Sequence, residues 1–229
     1  MTAFGLCSCS PNVDSVIVGS IAKEEYILRL YLVRQAIVLP LGAMLVAILI
    51  AFTVPGYSSI SQHISELALL NHPVAAVQRI SALVTGASVL VFGVGLVMLA
   101  PRAFRFTSIA AALFAMSMMS NGIFTMRTPL HGLYGLGLFM ALVPAFFAVE
   151  FPWREGRTAL SSLSMAAALF NMSYEWLIVS GFDPPGFRGL TQRVATIVIF
   201  GWYSAAAIAV GRAHSASRRT ELTGGPGGQ

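Results

Sequence analysis

Six long apolar segments, separated by short loops, constrain the fold of this chain more than any other feature. Charged residues, proline or glycine bound each segment, and the segments are Ala36–Val54, Ile80–Leu99, Phe106–Phe124, Leu133–Val149, Ala159–Ser180 and Val194–Val210. A bilayer core of about 30 Å requires about 20 apolar residues in a helix. Because lipid offers the backbone no hydrogen-bond partner, we predict an all-α integral membrane bundle of six transmembrane helices.

The composition excludes most other classes of protein. Only 10% of the residues are charged and 56% are hydrophobic, whereas about 25% of the residues of a soluble domain are charged. The formal net charge is +5, but the basic residues stand singly or in pairs between apolar segments, so nucleic acid is excluded as a partner. Membrane lipids are the predicted partners.

The basic residues also predict the orientation in the membrane. One side of the predicted bundle holds ten of them, namely Lys23, Arg29, Arg34, Arg102, Arg105, Arg154, Arg157, Arg212, Arg218 and Arg219. The other side holds four, namely Arg79, Arg127, Arg188 and Arg193. Because basic loops stay in the cytoplasm, we predict a multi-pass protein of the cell (plasma) membrane with both termini in the cytoplasm.

The predicted spans divide the chain into three parts. Residues 1–35 form a cytoplasmic N-terminal segment, and residues 21–35 have the spacing of an amphipathic helix that lies on the membrane surface or extends the first span. Residues 36–211 form the six-helix transmembrane domain. Residues 212–229, which end in a glycine- and proline-rich stretch, are predicted to be a disordered cytoplasmic tail.

The longest outer loop, PGYSSISQHISELALLNHP from Pro55 to Pro73, is predicted to contain a short amphipathic helix at the outer interface. Ser59 and Gln62 have the spacing of a capping box, and apolar residues follow at helical intervals. His63 and Glu66 are three residues apart and would be neighbours on the polar face of this helix.

Polar residues also lie within two of the apolar segments. Ser117, Asn121 and Thr125 are each four residues apart in the third segment, and Asn171 and Glu175 have the same spacing in the fifth. Glu175 is an acid inside a predicted span, where an unpaired charge costs several kcal/mol, so it is a candidate functional residue. The predicted result is a polar pocket that opens to the outer face.

Each of these residues also has a structural interpretation. Glu175 could form a buried ion pair with Arg79 or Arg127 that fixes the order of the helices. The two asparagines could bond neighbouring helices. Close helix packing also explains the glycines, which are Gly132, Gly135 and Gly137 in HGLYGLG and Gly86 and Gly93 in the second segment.

Two motifs resemble a bacterial and archaeal membrane family catalogued as domain of unknown function 998. They are PGYSSISQHISEL after the first span and HGLYG at the start of the fourth, and the resemblance extends from about Arg34 to Arg212. Tyr57 followed by Ile64-Ser65-Glu66-Leu67 is its most specific part, and His131-Gly132 is the next. Family members often carry a second histidine four residues after His131, where this chain has Gly135. The resemblance implies six transmembrane helices and a polar cluster at the outer face, with no assigned activity.

Three classes of function fit the predicted pocket. A binding protein would hold a lipid headgroup or small amphiphile there. A membrane-embedded enzyme would act on a lipid or isoprenoid, with Glu66 or Glu175 as the acid or base, His131 as its partner and Arg127 holding an anionic group; terpene-cyclase-like protonation is one version. A structural or accessory subunit of a membrane complex would use the same groups only to order its helices.

The candidate residues are the same for the first two classes. The candidate catalytic residues are Glu66, His131 and Glu175, and the candidate ligand-binding residues are Tyr57, His63, Ser65, Arg79, Asn121, Arg127 and Asn171. We predict neither a metal nor a cofactor. The sequence leaves open whether the chain is an enzyme and whether it forms a homo-oligomer or joins a membrane complex.

Overall fold

The computed structural model describes residues 13–133, 135–151 and 158–223. Within these ranges the chain forms seven α-helices and no β-strand, which confirms the predicted all-α class. The helices are α1 (Val13–Arg34), α2 (Leu39–Ile50), α3 (Val74–Leu99), α4 (Arg105–Ile123), α5 (Phe139–Glu150), α6 (Thr158–Val179) and α7 (Arg188–Thr223). Short 3-10 helices lie at Gln35–Ile37, Ala51–Thr53, Ile64–Leu69 and Leu136–Leu138.

Four helical stretches in the described residues are long and apolar enough to cross a membrane. They are Glu24–Thr53, Val74–Leu99, Arg105–Ile123 and Arg188–Ala216. Leu136–Glu150 is apolar but shorter, and the 22-residue helix α6 carries polar residues. Large apolar side chains cover the outside of the bundle, with Leu49 65% and Val149 71% exposed. These features indicate a multi-pass membrane protein.

The first apolar stretch is interrupted near Pro40. Helix α1 includes the predicted helix at residues 21–35 and continues through Gln35–Ile37 into α2. Proline lacks an N–H, so a helix that passes it leaves carbonyl groups without their usual partners. Two hydroxyls from other helices bond carbonyls in this region: Ser204 Oγ donates to the Ile37 carbonyl at 2.7 Å and Thr85 Oγ1 donates to the Pro40 carbonyl at 3.3 Å.

Helices α3 and α4 pack closely because glycines line their contact. A methyl group at Gly86 would lie 2.9 Å from the Ala115 carbonyl oxygen, and one at Gly122 would lie 2.7 Å from the Arg79 carbonyl oxygen. At Gly93 the corresponding distance to Ala111 Cβ is 3.3 Å. The helix-packing interpretation of Gly86 and Gly93 is therefore confirmed.

The helices form a ring in which α7 closes the bundle. Helices α3 to α6 each pack against the next, and α7 contacts both α6 and α2. An aromatic core lies inside, where the Phe147 ring meets the Trp202 ring edge-on at 5.3 Å and Phe92 meets Tyr203 at 5.4 Å. The Trp202 indole donates to Ser164 Oγ at 2.9 Å. This buried aromatic layer fixes the relative positions of α3, α5 and α7.

The two ends of the bundle differ. At one end, which we call the terminal end, Arg29 Nη1 donates to the Met98 carbonyl at 3.0 Å and the Glu150 carboxylate caps the start of α4. At the opposite end, which we call the loop end, the 3-10 helix Ile64–Leu69 lies beside α3 and α7. The connections at the loop end are the longer ones, and the polar groups discussed below lie there.

The last helix is longer than predicted. Helix α7 continues to Thr223, past residue 211, where we predicted the start of a disordered tail. No glycine or proline interrupts residues 212–223, so nothing in the sequence ends the helix before Gly224. Residues 224–229 of the predicted tail, residues 1–12 of the predicted N-terminal segment and the basic residues Arg154 and Arg157 lie outside the described residues.

Candidate functional site

The Pro55–Pro73 loop contains a single 3-10 helix, Ile64–Leu69. Its first turn is capped by Glu66, whose carboxylate accepts the His63 backbone N–H at 2.9 Å. The capping box that we expected at Ser59 and Gln62 is not formed; instead, Gln62 Oε1 accepts the backbone N–H of Ser58 at 2.7 Å. Ile64 and Leu67 are 1% and 0% exposed. The apolar face of this segment is therefore buried against the protein.

Tyr57 and Arg193 fasten this loop to the start of α7. The Tyr57 hydroxyl donates to the His63 carbonyl at 2.7 Å and accepts from Arg193 Nη2 at 3.2 Å. Arg193 Nη1 donates to the carbonyls of Gly189 at 2.8 Å and Gln62 at 3.2 Å. Arg193 is 6% exposed, so these bonds replace part of its lost hydration, while its Nε has no hydrogen-bond partner among the described residues. We call this cluster the Tyr57–Arg193 latch.

Further contacts join the loop and α7 on either side of the latch. The Ile64 N–H donates to Gln192 Oε1 at 2.6 Å, and the Leu190 N–H donates to the Ile60 carbonyl at 2.9 Å. His63 Nε2 lies 3.8 Å from Asp183 Oδ2. His63 and Tyr57, which we predicted as ligand-binding residues, thus contact groups that hold the loop in place.

The HGLYG motif forms turns rather than the start of a helix. Gly132 and Gly135 have φ angles of 73° and 87°, a region that only glycine adopts readily. The predicted fourth segment, Leu133–Val149, therefore becomes α-helical only at Phe139. The predicted role of Gly132 and Gly135 in close helix packing is wrong, because their positive φ angles reverse the chain direction.

Side chains from α4 hold this turn segment against the bundle. Ser117 Oγ donates to the Gly132 carbonyl at 2.7 Å, and Ser120 Oγ donates to the Leu130 carbonyl. His131 Nδ1 lies 2.8 Å from the Phe124 carbonyl oxygen. Because a carbonyl oxygen can only accept, Nδ1 carries the proton, and in the neutral ring Nε2 keeps its lone pair.

A cavity of about 570 Å³ lies at the loop end between α3, α4, α6 and α7. This volume is typical of sites that bind small molecules. Apolar side chains form most of its wall, among them Met44, Ala82, Phe114, Met118, Met140, Ile199 and Phe200. Polar groups come from Ser65, Gln78, Ser117, Asn121, His131, Tyr174, Glu175, Gln192 and Thr196. We call this space the Glu175 cavity.

Two amide oxygens at the cavity lack a hydrogen-bond partner in the part of the chain that the structure describes. They are Gln78 Oε1 and Asn121 Oδ1, and both atoms are buried. The Gln78 side chain is 4% exposed. Native proteins pair nearly all such buried groups, because an unpaired one forfeits its hydration. Both residues line the cavity, so a ligand or water bound there is one source of the missing donors.

Glu175 enters the cavity from α6 without a cationic partner among the described residues. A methyl group at Gly137 would lie 3.3 Å from Glu175 Oε1, so this glycine makes room for the carboxylate. Neither arginine that we considered as a partner is paired with it: Arg79 donates to the carbonyls of Gly122 and Ile123, each at 2.9 Å, and Arg127 is exposed and does not line the cavity.

The structure brings together four of the ten candidate residues. Ser65, Asn121, His131 and Glu175 line the cavity. Glu66 and Arg79 cap helices, and Tyr57 and His63 hold the loop. Asn171 is not among the lining residues and donates through Nδ2 to the carbonyl of Met140, which is one of them, at 2.9 Å. What each of the ten does in function stays a prediction.

Gln78 and Arg193 are the important residues that sequence reasoning missed. Gln78 lies in the first turns of α3, and Arg193 lies in the first turns of α7. Sequence analysis counted Arg193 only among the basic residues of one side and did not consider Gln78. The useful signal was that each residue is already inside the helix, where a polar side chain needs a partner.

One family model matches the part of the chain that contains the whole site. The family model described as Protein of unknown function (DUF998) matches residues 37–209, which is more than half of the chain. The chain belongs to this family. The DUF998 match includes all of the residues that line the Glu175 cavity. No curated protein matches the chain, and no solved structure does.

Proposed function

We propose that this DUF998 protein spans the membrane six times and binds a lipid headgroup or small amphiphile in the Glu175 cavity. The observation that carries the proposal is the composition of the cavity wall. Apolar side chains surround buried amide oxygens and a carboxylate that have no partner or cation among the described residues. A ligand with an apolar chain and a polar head matches both parts of such a wall.

The path into the cavity suits a ligand that arrives from lipid. Ile178 and Val179 line the cavity and are 39% and 77% exposed, respectively. Both lie at the end of α6, so part of the cavity wall belongs to the surface of the bundle. An amphiphile could enter sideways there, with its chain remaining against apolar surface.

The proposed topology puts both termini in the cytoplasm of a plasma-membrane protein and the cavity at the outer face. In its support, the terminal end carries Arg34, Arg102 and Arg212, and α5 and α6 pack as consecutive helices like the other pairs. The positive-inside rule assigns the more basic end to the cytoplasm. An impermeant maleimide tests this with single cysteines, introduced by His72→Cys and Arg102→Cys after Cys7 and Cys9 are replaced by serine.

The two cysteines should differ in access. His72 is exposed at the loop end and Arg102 is exposed at the terminal end. In intact cells the reagent should label the His72→Cys variant, and it should label the Arg102→Cys variant only after lysis. The reverse pattern would overturn the proposed orientation, and labelling of both variants in intact cells would overturn the proposed number of spans.

Ligand binding is tested with a substitution beside the cavity and a matched substitution away from it. Val179→Trp adds bulk beside the cavity, and Val149→Trp adds the same bulk on α5, where Val149 is 71% exposed and does not line the cavity. Each purified full-length variant is titrated with dodecyl amphiphiles that carry alcohol, amine or phosphate heads, and binding is followed by calorimetry.

We expect at least one amphiphile to bind the wild type, and Val179→Trp to weaken that binding by about tenfold or more, which corresponds to about 1.4 kcal/mol. Val149→Trp should leave the affinity unchanged. Equal affinities in all three proteins, or no binding by any head group, would overturn the proposed function and favour a structural subunit.

A membrane-embedded enzyme is the second candidate, because His131 and Glu175 line the same cavity. His131 Nε2 is free to accept a proton while Nδ1 is held by the Phe124 carbonyl. Glu66 is less suitable as an acid because its carboxylate caps the 3-10 helix. If the protein is an enzyme, membranes supplied with lipid or isoprenoid should yield a product that Glu175→Gln abolishes without loss of binding.

A further inference from the structure

We infer that the Glu175 cavity selects an amphiphile with a protonated amine head over one with a phosphate or carboxylate head. This inference rests on the proposed function and names the class of its ligand. Among the described residues that line the cavity there is one carboxylate, that of Glu175, and no lysine or arginine. Among the described residues, the wall therefore offers an acidic side chain and no permanently cationic one.

The arginines nearest to the loop end are occupied elsewhere or lie outside the cavity. Arg79 donates through Nε and Nη2 to two carbonyls at the end of α4. Arg193 holds the loop through the Tyr57–Arg193 latch. Arg127 is exposed and is not part of the wall. A phosphate in the cavity would thus meet Glu175 without the basic groups that such anions require.

The cavity wall holds hydrogen-bond acceptors besides the Glu175 carboxylate, together with donors such as the Tyr174 and Thr196 hydroxyls. Gln78 Oε1 and Asn121 Oδ1 are buried acceptors without partners in the described chain, and His131 Nε2 has a lone pair in the neutral ring. An ammonium group offers three donors and no acceptor. It can therefore donate to the Glu175 carboxylate and keep further donors for neighbouring acceptors, while an alcohol has a single donor to offer.

The same chemistry has two sources in a membrane, an ethanolamine lipid and a single-chain amine. Both present an ammonium group on an apolar body, but the lipid also carries a phosphate, which would have to remain outside the cavity. The Ile178–Val179 opening lies at the end of α6, so a head group could enter while the rest of a lipid stays in the bilayer. The experiment below separates the two sources.

Dodecylamine, dodecanol and dodecyl phosphate serve as probes, because they differ only in the head group. Each is titrated into the purified full-length protein at neutral pH. Dodecylamine should bind about tenfold more tightly than dodecanol, and dodecyl phosphate should bind most weakly. Glu175→Gln should reduce the dodecylamine affinity to that of dodecanol and leave the dodecanol affinity unchanged.

Two further variants make the test independent of how well Glu175→Gln folds. Asn121→Asp keeps the shape of the side chain and adds a negative charge to the wall, so it should raise the preference for dodecylamine over dodecyl phosphate. Glu25→Gln removes an exposed carboxylate on α1 that pairs with Arg29, and it should leave the preference unchanged.

The outcomes separate this inference from the proposed function. If dodecyl phosphate or dodecanol binds most tightly and Val179→Trp weakens that binding, the cavity binds amphiphiles but the inference is overturned. If Val179→Trp affects none of the three probes, the proposed function itself fails. When dodecylamine is preferred, displacement by ethanolamine lipid but not by choline lipid in nanodiscs identifies a lipid source, and displacement by neither identifies a single-chain amine.

Discussion

Replacing Tyr57 with phenylalanine should open the Tyr57–Arg193 latch while keeping the aromatic ring. The substitution removes a donor to the His63 carbonyl at 2.7 Å and an acceptor for Arg193 Nη2 at 3.2 Å. A neutral hydrogen bond contributes about 0.5–1.5 kcal/mol and one to a charged group about 1.5–3 kcal/mol. We therefore expect a loss of about 2–4 kcal/mol, or roughly 4–16 °C in Tm for a chain of this size.

Thermal unfolding in detergent, followed by intrinsic fluorescence, measures this loss. Tyr31→Phe is the matched control, since Tyr31 is 67% exposed and its replacement should change stability by less than about 0.5 kcal/mol. Hydrogen exchange at Ile64, whose N–H is bonded to Gln192, reports the opening of the loop directly and should become faster in the Tyr57→Phe variant.

A double-mutant cycle with Arg193→Met attributes the effect to the latch itself. The two residues share a hydrogen bond, and the Arg193 guanidinium lies 5.8 Å from the centre of the Tyr57 ring, so their substitutions should be coupled by about 1–2 kcal/mol. The reasoning is refuted if Tyr57→Phe destabilises no more than Tyr31→Phe, or if the two substitutions are additive.

The latch also predicts how stability changes at alkaline pH. Burial raises the pKa of Tyr57 above its ordinary value of 10.0, although Arg193 partly opposes this. The neutral phenol thus contributes stability that is complete below about pH 10 and is lost as the pH rises through the higher pKa of the folded state. Above pH 10 the wild type should lose more stability than Tyr57→Phe, and parallel curves would contradict this account.

Three further substitutions test other contacts, each by its effect on Tm in detergent. Glu150→Gln weakens the acceptor of the Phe106 and Thr107 N–H groups at the start of α4, at 2.7 and 2.8 Å, and should cost about 1–2 kcal/mol; no change would mean that water caps this helix equally well. Gly122→Ala puts a methyl group 2.7 Å from a backbone oxygen of α3 and should cost about 1–3 kcal/mol; a neutral result would show that the helices can separate freely. Ser204→Ala leaves the Ile37 carbonyl without its donor at 2.7 Å and should cost about 1–3 kcal/mol, whereas Ser58→Ala, at an exposed position, should change Tm less.

The loop end illustrates where sequence reasoning succeeded. Helical spacing identified Asn121 and Glu175 as polar residues within apolar helices, and both line the Glu175 cavity. That inference needed only the rule that polar groups in apolar helices require partners. The opposite charge of the arginines suggested Arg79 or Arg127 as the partner of Glu175. That prediction was wrong, because Arg79 caps a helix and Arg127 is exposed.

The turn around His131 shows a different limit. A run of apolar residues and glycines is compatible with a helix or with turns, and periodicity does not distinguish them. Gly132 and Gly135 adopt left-handed conformations because the chain reverses direction against α4. The hydroxyls of Ser117 and Ser120 on α4 hold this turn by donating to its carbonyls. These contacts join residues that are far enough apart in sequence to escape any local pattern.

The sequence by itself determined that the chain is helical and apolar, because a backbone without water must bond to itself. It also determined which residues were too polar to face lipid. The tertiary structure alone decided that Gln78 joins Asn121, His131 and Glu175 around a single cavity and that Arg193 holds the loop. The reason is that helix rotation and packing set which polar atoms meet, and the close approach at Gly86 and Gly122 that fixes them depends on partners distant in the chain.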